Sequence, residues 1–484
     1  MRRFRRAAVA LLALLSVFTI TAGIAVAHML PPRLALWRLP TVAPRRLAEA
    51  GPVLVPVPDP ATGTSRAGRS AATAAGVGAA LSGLLGSATL GPHVGAVVAG
   101  LSSGRVLLTR QGAAGFAPAS TAKLAVAVAA LDVLGPAARL ATRVTSGPAP
   151  SSLVLVGGGD PTLAAGQPPA TDYPQPATLA SLAGQTARVL RARRISAVQL
   201  GYDTSLFTGP ALGPGWPGSY VTTGNVSPIS ALEVDQGRLT AAGAPEDADD
   251  PTNFRPRSLA PAADAARAFA AYLAGQGITV NGPVNQVAAP RGSATIAAVS
   301  SPPLAEIVAQ MLAESNNVIA ENLARQVAIA TGYQASFSGA AAAETAVLRG
   351  LGVRSGISLA DASGLSPRDR ITPDALVQLV RLAASPARPA LRPVITGLPV
   401  AGFSGTLAPG GSVFPRLGQP GLGVVRAKTG NLTTVVSLAG IAQASDGQQF
   451  AFAFMADQLP AAGLEPGASD LTRLATALAA CGCR

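Results

Sequence analysis

The stretch that decides the fold is PASTAKLAV, from Pro118 to Val126. It holds Lys123, one of only two lysines in a chain of 484 residues whose other 35 strongly basic side chains are arginine. Burial or a neighbouring cation can lower the pKa of a lysine enough for it to lose its proton, whereas a guanidinium stays charged. A lysine three residues after Ser120 therefore indicates a base that activates a serine.

The spacing of Ser120 and Lys123 predicts that both side chains lie on one face at the start of a helix. The Ala- and Leu-rich run from Thr121 to Leu134 favours that helix. A serine at a helix start also presents its own N–H to a developing oxyanion. Taken alone, the pair is better explained as a helix cap and a surface lysine, so the remaining motifs carry the interpretation.

The second lysine lies in Lys428-Thr429-Gly430, inside a run from 424 to 443 that is typical of a buried strand. Lys428 offers a cation to a carboxylate, and Thr429 offers a hydroxyl donor. Gly430 allows the backbone of a substrate to lie close to the strand, because glycine has no Cβ. The motif thus predicts a strand that binds a peptide ending in a carboxylate.

A third motif, Ser315-x-Asn317, stands at the predicted break between two helices in the stretch 302–332. It adds a second hydroxyl and an amide. The order Ser-x-x-Lys, Ser-x-Asn, Lys-Thr-Gly is the motif set of β-lactamases and penicillin-binding proteins. Because the chain's only two lysines both fall in the set, the combination is far more specific than any of its parts.

Several other chemistries lack their residues. The histidines are His28 and His93 alone, and no Gly-x-Ser-x-Gly elbow accompanies them, which argues against a Ser-His-Asp triad. The cysteines, Cys481 and Cys483, stand together at the C-terminal end, where a frayed tail or a tight local bridge is expected. We expect no metal site and no cofactor.

With these motifs the sequence resembles a class C low-molecular-mass penicillin-binding protein of the D-alanyl-D-alanine carboxypeptidase/endopeptidase family. Five further stretches support the resemblance: 155–163 (LVGGGDPTL), 206–216 (LFTGPALGPGW), 227–238 (SPISALEVDQGR), 361–372 (DASGLSPRDRIT) and 404–407 (SGTL). The implied fold class is α/β (α+β), a penicillin-recognising serine transpeptidase/β-lactamase-like fold. A large inserted domain is expected between the first two motifs.

The resemblance also implies a role for each site residue. The catalytic residues would be the nucleophile Ser120, its base Lys123, and Ser315, which relays a proton to the leaving group. The substrate-binding residues would be Asn317, Lys428, Thr429, Gly430 and Asn431. The backbone N–H groups of Ser120 and Asn431 would form the oxyanion hole.

The implied activity is serine-type D-alanyl-D-alanine carboxypeptidase, with endopeptidase activity left open. Its partners would be peptidoglycan stem peptides ending in D-Ala-D-Ala, and β-lactam antibiotics that acylate Ser120. Two alternatives stay open on the same fold, namely a serine β-lactamase and a non-catalytic cell-wall-binding protein.

The N-terminal region carries most of the net charge of +13. Residues 1–75 hold ten arginines against Glu49 and Asp59, so the charge predicts no nucleic-acid-binding face. Four arginines precede the apolar run 7–27, which predicts an exported chain whose only membrane contact is this segment, either a cleaved signal or an anchor. The expected organisation is 1–27 signal peptide or anchor, 28–75 Pro/Gly/Arg-rich linker, 76–140 transpeptidase-like domain (first part), 141–299 inserted domain, and 300–484 transpeptidase-like domain (second part).

Overall fold

A computed structural model describes residues 72–170, 173–239, 255–410, 413–461 and 463–483 of the chain. The predicted export segment, 7–27, lies outside these residues. The described strands are β1 (Val94–Gly100), β2 (Val106–Arg110), β3 (Ala141–Ser146), β4 (Ser152–Val156), β5 (Ala197–Asp203), β6 (Thr279–Val280), β7 (Asn285–Gln286), β8 (Thr295–Ser300), β9 (Ile357–Ser358), β10 (Arg370–Ile371), β11 (Val425–Leu432), β12 (Val435–Gln443) and β13 (Gln449–Ala456).

The described α-helices surround two sheets. They are α1 (Ala74–Leu85), α2 (Lys123–Leu134), α3 (Leu179–Ala192), α4 (Ser219–Thr222), α5 (Pro261–Gly275), α6 (Leu304–Ala313), α7 (Asn317–Ala330), α8 (Phe337–Gly350), α9 (Pro373–Ala383), α10 (Arg392–Thr396) and α11 (Leu464–Ala480).

The five-stranded sheet is antiparallel, with the strand order β11-β12-β13-β1-β2. Its side chains alternate between two cores, as the twofold period of a strand requires. Phe450, Phe452 and Phe454 of β13 pack in one core with the apolar side chains of α1 and α11. Ala451 and Ala453 lie in the other core, against the α2 side. Small residues on that face let the helical layer approach the sheet closely.

Helix α2 is the centre of the second core. All residues from Lys123 to Leu131 are buried, so every face of the helix is covered by protein. A helix that is apolar on all sides is stable only in such a position. The first residue of this buried helix is a lysine, so the fold removes its amine from water.

The six-stranded sheet consists entirely of strands from residues 141–300, in the order β6-β5-β4-β3-β8 with β7 paired to β5. Strands β4 and β5 are parallel, and helix α3 connects them. Helices α3 and α5 share a separate apolar core with this sheet. This region interrupts the chain between α2 and α6.

The two helices expected on either side of Ser315 occur. One boundary differs, since the first α-helix after Pro118 begins at Lys123, behind a 3-10 turn at Ala119–Ala122. The last helix begins at Leu464 with Pro466 in its first turn, where proline is tolerated. Among the described residues, no helix combines the length and the apolar character that crossing a bilayer requires.

Four amide side chains at the start and along one side of α7 bind the 141–300 region. Asn316 Nδ2 donates to Gln236 Oε1 (2.7 Å), and Asn317 Nδ2 donates to the carbonyl of Asn225 (2.8 Å). Further along, Asn322 Nδ2 donates to Glu233 Oε1 (3.1 Å), and Gln326 Nε2 donates to the carbonyl of Gly158 (2.8 Å). Helix α7 is therefore the element through which this region contacts the Ser-x-Asn motif.

Replacing Asn322 by alanine tests this interface. Asn322 is fully buried and also donates to the carbonyl of Val318. Its loss removes the donor to Glu233 Oε1, while Oε2 keeps the hydroxyl of Ser227. We expect Asn322→Ala to lower the free energy of unfolding by about 1–3 kcal/mol, as measured by urea denaturation. Gln185→Ala, on the surface of α3, is the matched control and should change it by less than about 0.5 kcal/mol. Equal losses would contradict a stabilising role for the interface.

Candidate active site

Ser120 lies in the 3-10 turn immediately before the buried helix α2. In a 3-10 turn residues i and i+3 are in line, which directs Lys123 back toward the serine. Lys123 Nζ lies 2.8 Å from Ser120 Oγ. The preceding residue, Ala119, has a φ of 46°, a left-handed conformation that is costly for a residue other than glycine. The backbone strain thus falls next to the serine.

The amine of Lys123 has two further partners. Nζ lies 2.7 Å from Asn317 Oδ1 and 2.7 Å from the carbonyl oxygen of Ser363. Burial lowers the pKa of Lys123 from 10.5 to about 7, although the carboxylates of Asp361 and Glu321 act in the opposite direction. The amine therefore changes its protonation state near neutral pH.

These three partners decide what the neutral amine can do. A charged lysine has three N–H donors, which matches three acceptors, whereas the neutral amine has two donors and one lone pair. The amide oxygen of Asn317 and the carbonyl of Ser363 can only accept. Once Lys123 is neutral, its lone pair can take a hydrogen bond from the hydroxyl of Ser120 alone. In its neutral form Lys123 is therefore arranged so that it can accept the proton of this serine.

The carbonyl of Ser363 is held in place by two buried carboxylates. Asp361 accepts from the backbone N–H groups of Gly364 (2.7 Å) and Ser366 (2.6 Å) and from the indole Nε1 of Trp216 (2.6 Å). Glu321 Oε1 accepts from the N–H groups of Ala362 (3.0 Å) and Ser363 (2.9 Å). These contacts make Asp361 an anchor of the 361–366 loop.

Gly364 brings this loop against the turn that carries Ser120. Its φ is +82°, and a Cβ added there would lie 1.8 Å from the carbonyl oxygen of Ala119. The close approach of two backbones requires glycine at this position. The loop thereby supports the left-handed conformation of Ala119 from outside.

Strand β11 places the Lys-Thr-Gly motif against the same turn. Strand β11 is the last strand of the sheet and pairs with β12, and residues 399–401 bridge to its first three residues. A Cβ on Gly430 would lie 3.0 Å from the backbone nitrogen of Ser120 and 2.8 Å from the carbonyl of Pro118. The sequence-based reason for this glycine was room for a substrate, and the structure adds the packing of the serine turn.

The other two residues of the motif are buried. Lys428 Nζ donates to the carbonyl of Thr429 (2.9 Å), and the hydroxyls of Thr429 and Thr406 lie 2.7 Å apart. Burial, and secondarily the charge of Lys123, lower the pKa of Lys428 well below its ordinary value. Two amines in one buried site disfavour each other's charge, so a carboxylate that enters it would be bound strongly.

The remaining predicted residues have different surroundings. Ser315 lies in the turn between α6 and α7 with a φ of 58°, two residues before Asn317. The amide of Asn317 is engaged by Lys123 and by the carbonyl of Asn225, both within the protein. Asn431 is exposed on β11, next to Gly430. Direct contacts thus join Ser120, Lys123 and Asn317, whereas Ser315 and Asn431 adjoin the site through their neighbours in sequence.

The residues that sequence reasoning set aside lie in structural contacts. His93 stacks on Phe116 with ring centroids 4.0 Å apart, and its Nδ1 lies 2.5 Å from Asp457 Oδ1. Cys481 and Cys483 form a local disulfide. Among the described residues, no group of three or more His, Cys, Asp or Glu side chains could hold a metal ion.

Two contributors to the site were missed. Glu321 follows Asn317 by four residues, a spacing that places both on one face of α7 and could have identified it. The carbonyl of Ser363 carries no such signal, because a backbone oxygen is present in every residue.

The chain matches the model of the D-Ala-D-Ala carboxypeptidase 3 (S13) family over residues 78–254 and 238–478. The chain belongs to this family. It is 37% identical over 446 residues to carboxypeptidase DacB of Mycolicibacterium smegmatis, covering 90% of this chain and 92% of that protein. It is 29% identical over 419 residues to the D-alanyl-D-alanine carboxypeptidase of an Actinomadura species, covering 73% and 76%. The membership expected from the motifs is confirmed, and the protein is a serine-type D-Ala-D-Ala carboxypeptidase by class.

The solved structures support the fold. Penicillin-binding protein 4 (dacB) of Haemophilus influenzae aligns with a TM-score of 0.65 at 22% identity, covering 83% of this chain and 97% of that one. The penicillin-recognising α/β fold expected from the motif order is therefore confirmed.

The contact between Gly364 and Ala119 can be tested by adding one methyl group. We expect Gly364→Ala to lower the free energy of unfolding by about 3 kcal/mol or more, since the Cβ meets a backbone oxygen as well as an unfavourable φ. Gly332→Ala is the matched control, because Gly332 has a φ of +80° and nothing within 4 Å of the added atom. Gly332→Ala should lower the free energy of unfolding by about 1 kcal/mol, because of the unfavourable φ alone. Similar losses in urea denaturation would show that the contact contributes nothing.

Proposed function

We propose that Ser120 is the nucleophile with which this carboxypeptidase releases the terminal D-alanine of peptidoglycan stem peptides. The observation that carries the proposal is the contact between the Ser120 hydroxyl and a buried lysine whose neutral form can accept only from it. The endopeptidase reaction uses the same attack on a cross-link. Carboxypeptidase activity is the better-supported of the two, since it is the activity after which the family is named.

In the proposed first step, Ser120 Oγ attacks the carbonyl carbon of the penultimate D-alanine while its proton passes to Lys123. The oxyanion receives hydrogen bonds from the backbone N–H groups of Ser120 and Asn431. The proton then moves to the leaving nitrogen through Ser315, the terminal D-alanine departs, and an ester on Ser120 is left. Water cleaves the ester, releases the shortened peptide and restores the serine hydroxyl.

The carboxylate of the terminal D-alanine is assigned to Lys428 and Thr429. Its arrival raises the pKa of Lys428 again, because an opposite charge favours the ammonium form. The charged Lys428 in turn disfavours a second cation and keeps Lys123 neutral. Gly430 and the edge of β11 beyond Ala427, where the bridge to residues 399–401 ends, accommodate the peptide backbone. Asn317 holds Lys123 in this scheme, and a contact with substrate stays a prediction.

We also assign β-lactam antibiotics as acylating ligands of Ser120. A solved structure of the Haemophilus influenzae penicillin-binding protein 4 contains a bound β-lactam. The strained amide of a β-lactam would be opened by the same attack, and the adduct would hydrolyse slowly. The two alternatives from the sequence, a β-lactamase and a non-catalytic wall protein, differ from this proposal in the fate of the drug.

The function requires the domain organisation and location expected from the sequence. We assign 76–140 and 300–484 to the catalytic body and 141–299 to the inserted domain, whose separate sheet and core support the division. Action on a cell-wall substrate places the protein outside the cytoplasm. Residues 1–27 are assigned to its export, as a cleaved signal or an anchor, on their basic start and apolar run.

The assignment of Ser120 is tested with the purified chain and benzylpenicillin. We expect a stable mass increase of one drug molecule that Ser120→Ala abolishes, together with release of D-alanine from a peptide ending in D-Ala-D-Ala. Disappearance of the drug without an adduct would indicate a β-lactamase. Neither adduct nor drug loss, with no D-alanine released, would indicate a non-catalytic protein.

The requirement for a lysine base predicts the effect of a change that keeps the charge. Lys123→Arg cannot release a proton at any working pH. We expect its rate of acylation by benzylpenicillin to fall at least about a thousandfold, measured by intact mass over time. Arg473→Lys, an exposed exchange on α11, is the control for handling and folding. Near-normal acylation of Lys123→Arg would refute the role of Lys123 as base.

A further inference from the structure

A cluster of buried acids stands behind Lys123 and belongs to none of the three motifs. Glu321, Glu344, Asp361 and Asp369 are each at most 2% exposed, and the guanidinium of Arg325 is buried among them. Besides the two lysines, the described residues contain two buried arginines, Arg325 in this cluster and Arg257, which donates to the carbonyls of Gly224 and Gln236. Such groups are costly to bury, so their contacts indicate what each of them does.

Glu321 differs from the others because it connects to the base by hydrogen bonds. Its Oε1 accepts from the N–H groups of both Ala362 and Ser363, and the carbonyl of Ser363 lies 2.7 Å from Lys123 Nζ. Its Oε2 lies 3.4 Å from Nη1 of Arg325, one turn further along α7. One carboxylate thus fixes the peptide group that orients the amine.

We propose that Glu321 is a positioning residue that holds the Ser363 carbonyl against Lys123. Its negative charge also favours the ammonium form of this lysine. The proposal rests on the proposed function, since Lys123 must act as the base. Glu321 does not contact the reacting atoms and acts through the 362–363 backbone and through its charge.

The charged groups around Lys123 determine in which direction the loss of the Glu321 charge shifts the pKa of Lys123. Glu321 of α7 and Asp361 of the neighbouring loop raise the pKa of Lys123, which burial lowers, while Lys428 of β11 is a second amine in the site. Burial and Asp361 raise the pKa of Glu321 itself to about 7, and Arg325 opposes them. Above that pH Glu321 is charged and favours the ammonium form of Lys123. Removing its charge therefore lowers the pKa of Lys123, and the amine stays neutral at a more acidic pH.

Two more acids lie behind these groups and are held neutral. Burial raises the pKa of Glu344 on α8 well above its ordinary value, and the charges of Glu321 and Asp361 add to this. Burial and the neighbouring Asp361 raise the pKa of Asp369 to about 10. Glu344 is therefore a suitable control, because glutamine there replaces a neutral group of the same shape.

The experiment measures the rate of acylation by benzylpenicillin from pH 5 to 9. The wild-type rate should rise with pH through about 7 as Lys123 loses its proton. In Glu321→Gln the amide oxygen still accepts from both N–H groups while the charge is gone. We expect the rise to move toward acid by about 1 pH unit, with a high-pH limit within about threefold of the wild type. Glu344→Gln should leave unchanged both the pH at which the acylation rate rises and the limiting rate at high pH.

Glu321→Asp supplies the other half of the test. It keeps the charge but is one methylene too short to reach both N–H groups. We expect the acylation rate to rise at the same pH as in the wild type, while its limiting value at high pH falls at least about tenfold. This variant decides the positioning role even if Glu321→Gln does not fold.

The outcomes separate this inference from the proposed function. A wild-type chain that is never acylated refutes the function, and the inference with it. Acylation of the wild type with no shift in Glu321→Gln, or with an undiminished limit in Glu321→Asp, refutes the inference alone. If both variants lose acylation rate and neither changes the pH at which the rate rises, Glu321 has a purely structural role. That result would also refute the inference.

Discussion

The amine of Lys123, buried at the first residue of α2, is the point on which the site depends. Removal from water destabilises the ammonium form, and its pKa falls to about 7 as a result. A buried amine also needs a partner for each polar position, and the chain provides three from separate segments: Ser120, Asn317 and Ser363. One atom therefore aligns the serine turn, the start of α7 and the 361–366 loop.

Helix α7 transmits this alignment to the rest of the molecule. Asn317, Glu321 and Arg325 follow at intervals of four residues on the face toward the base and its supporting acids. Asn322 and Gln326, with Asn316 before the helix, bind the 141–300 region instead. The second sheet, formed within residues 141–300, is thus joined to the helix that carries the second motif.

The approach of backbones explains why glycine occupies two positions beside the serine turn. Gly364 and Gly430 contact opposite sides of the turn around Ser120, one from the loop and one from strand β11. Neither position has room for a Cβ without moving backbone atoms. The serine turn, with its left-handed Ala119, is therefore held between two close contacts rather than by its own preference. Its conformation is a property of the surrounding structure.

The sequence by itself determined the features that depend on local spacing. An offset of three positions from Ser120 to Lys123 brings the two residues together in any helical turn, and the motif order with only two lysines predicted the fold, the family and the activity. Only the tertiary structure decided how the base is poised. The contacts of Lys123 with Asn317 and Ser363 join residues 194 and 240 positions apart. Its pKa depends on burial and on charges from α7 and the 361–366 loop, and desolvation exists only once these segments have packed together.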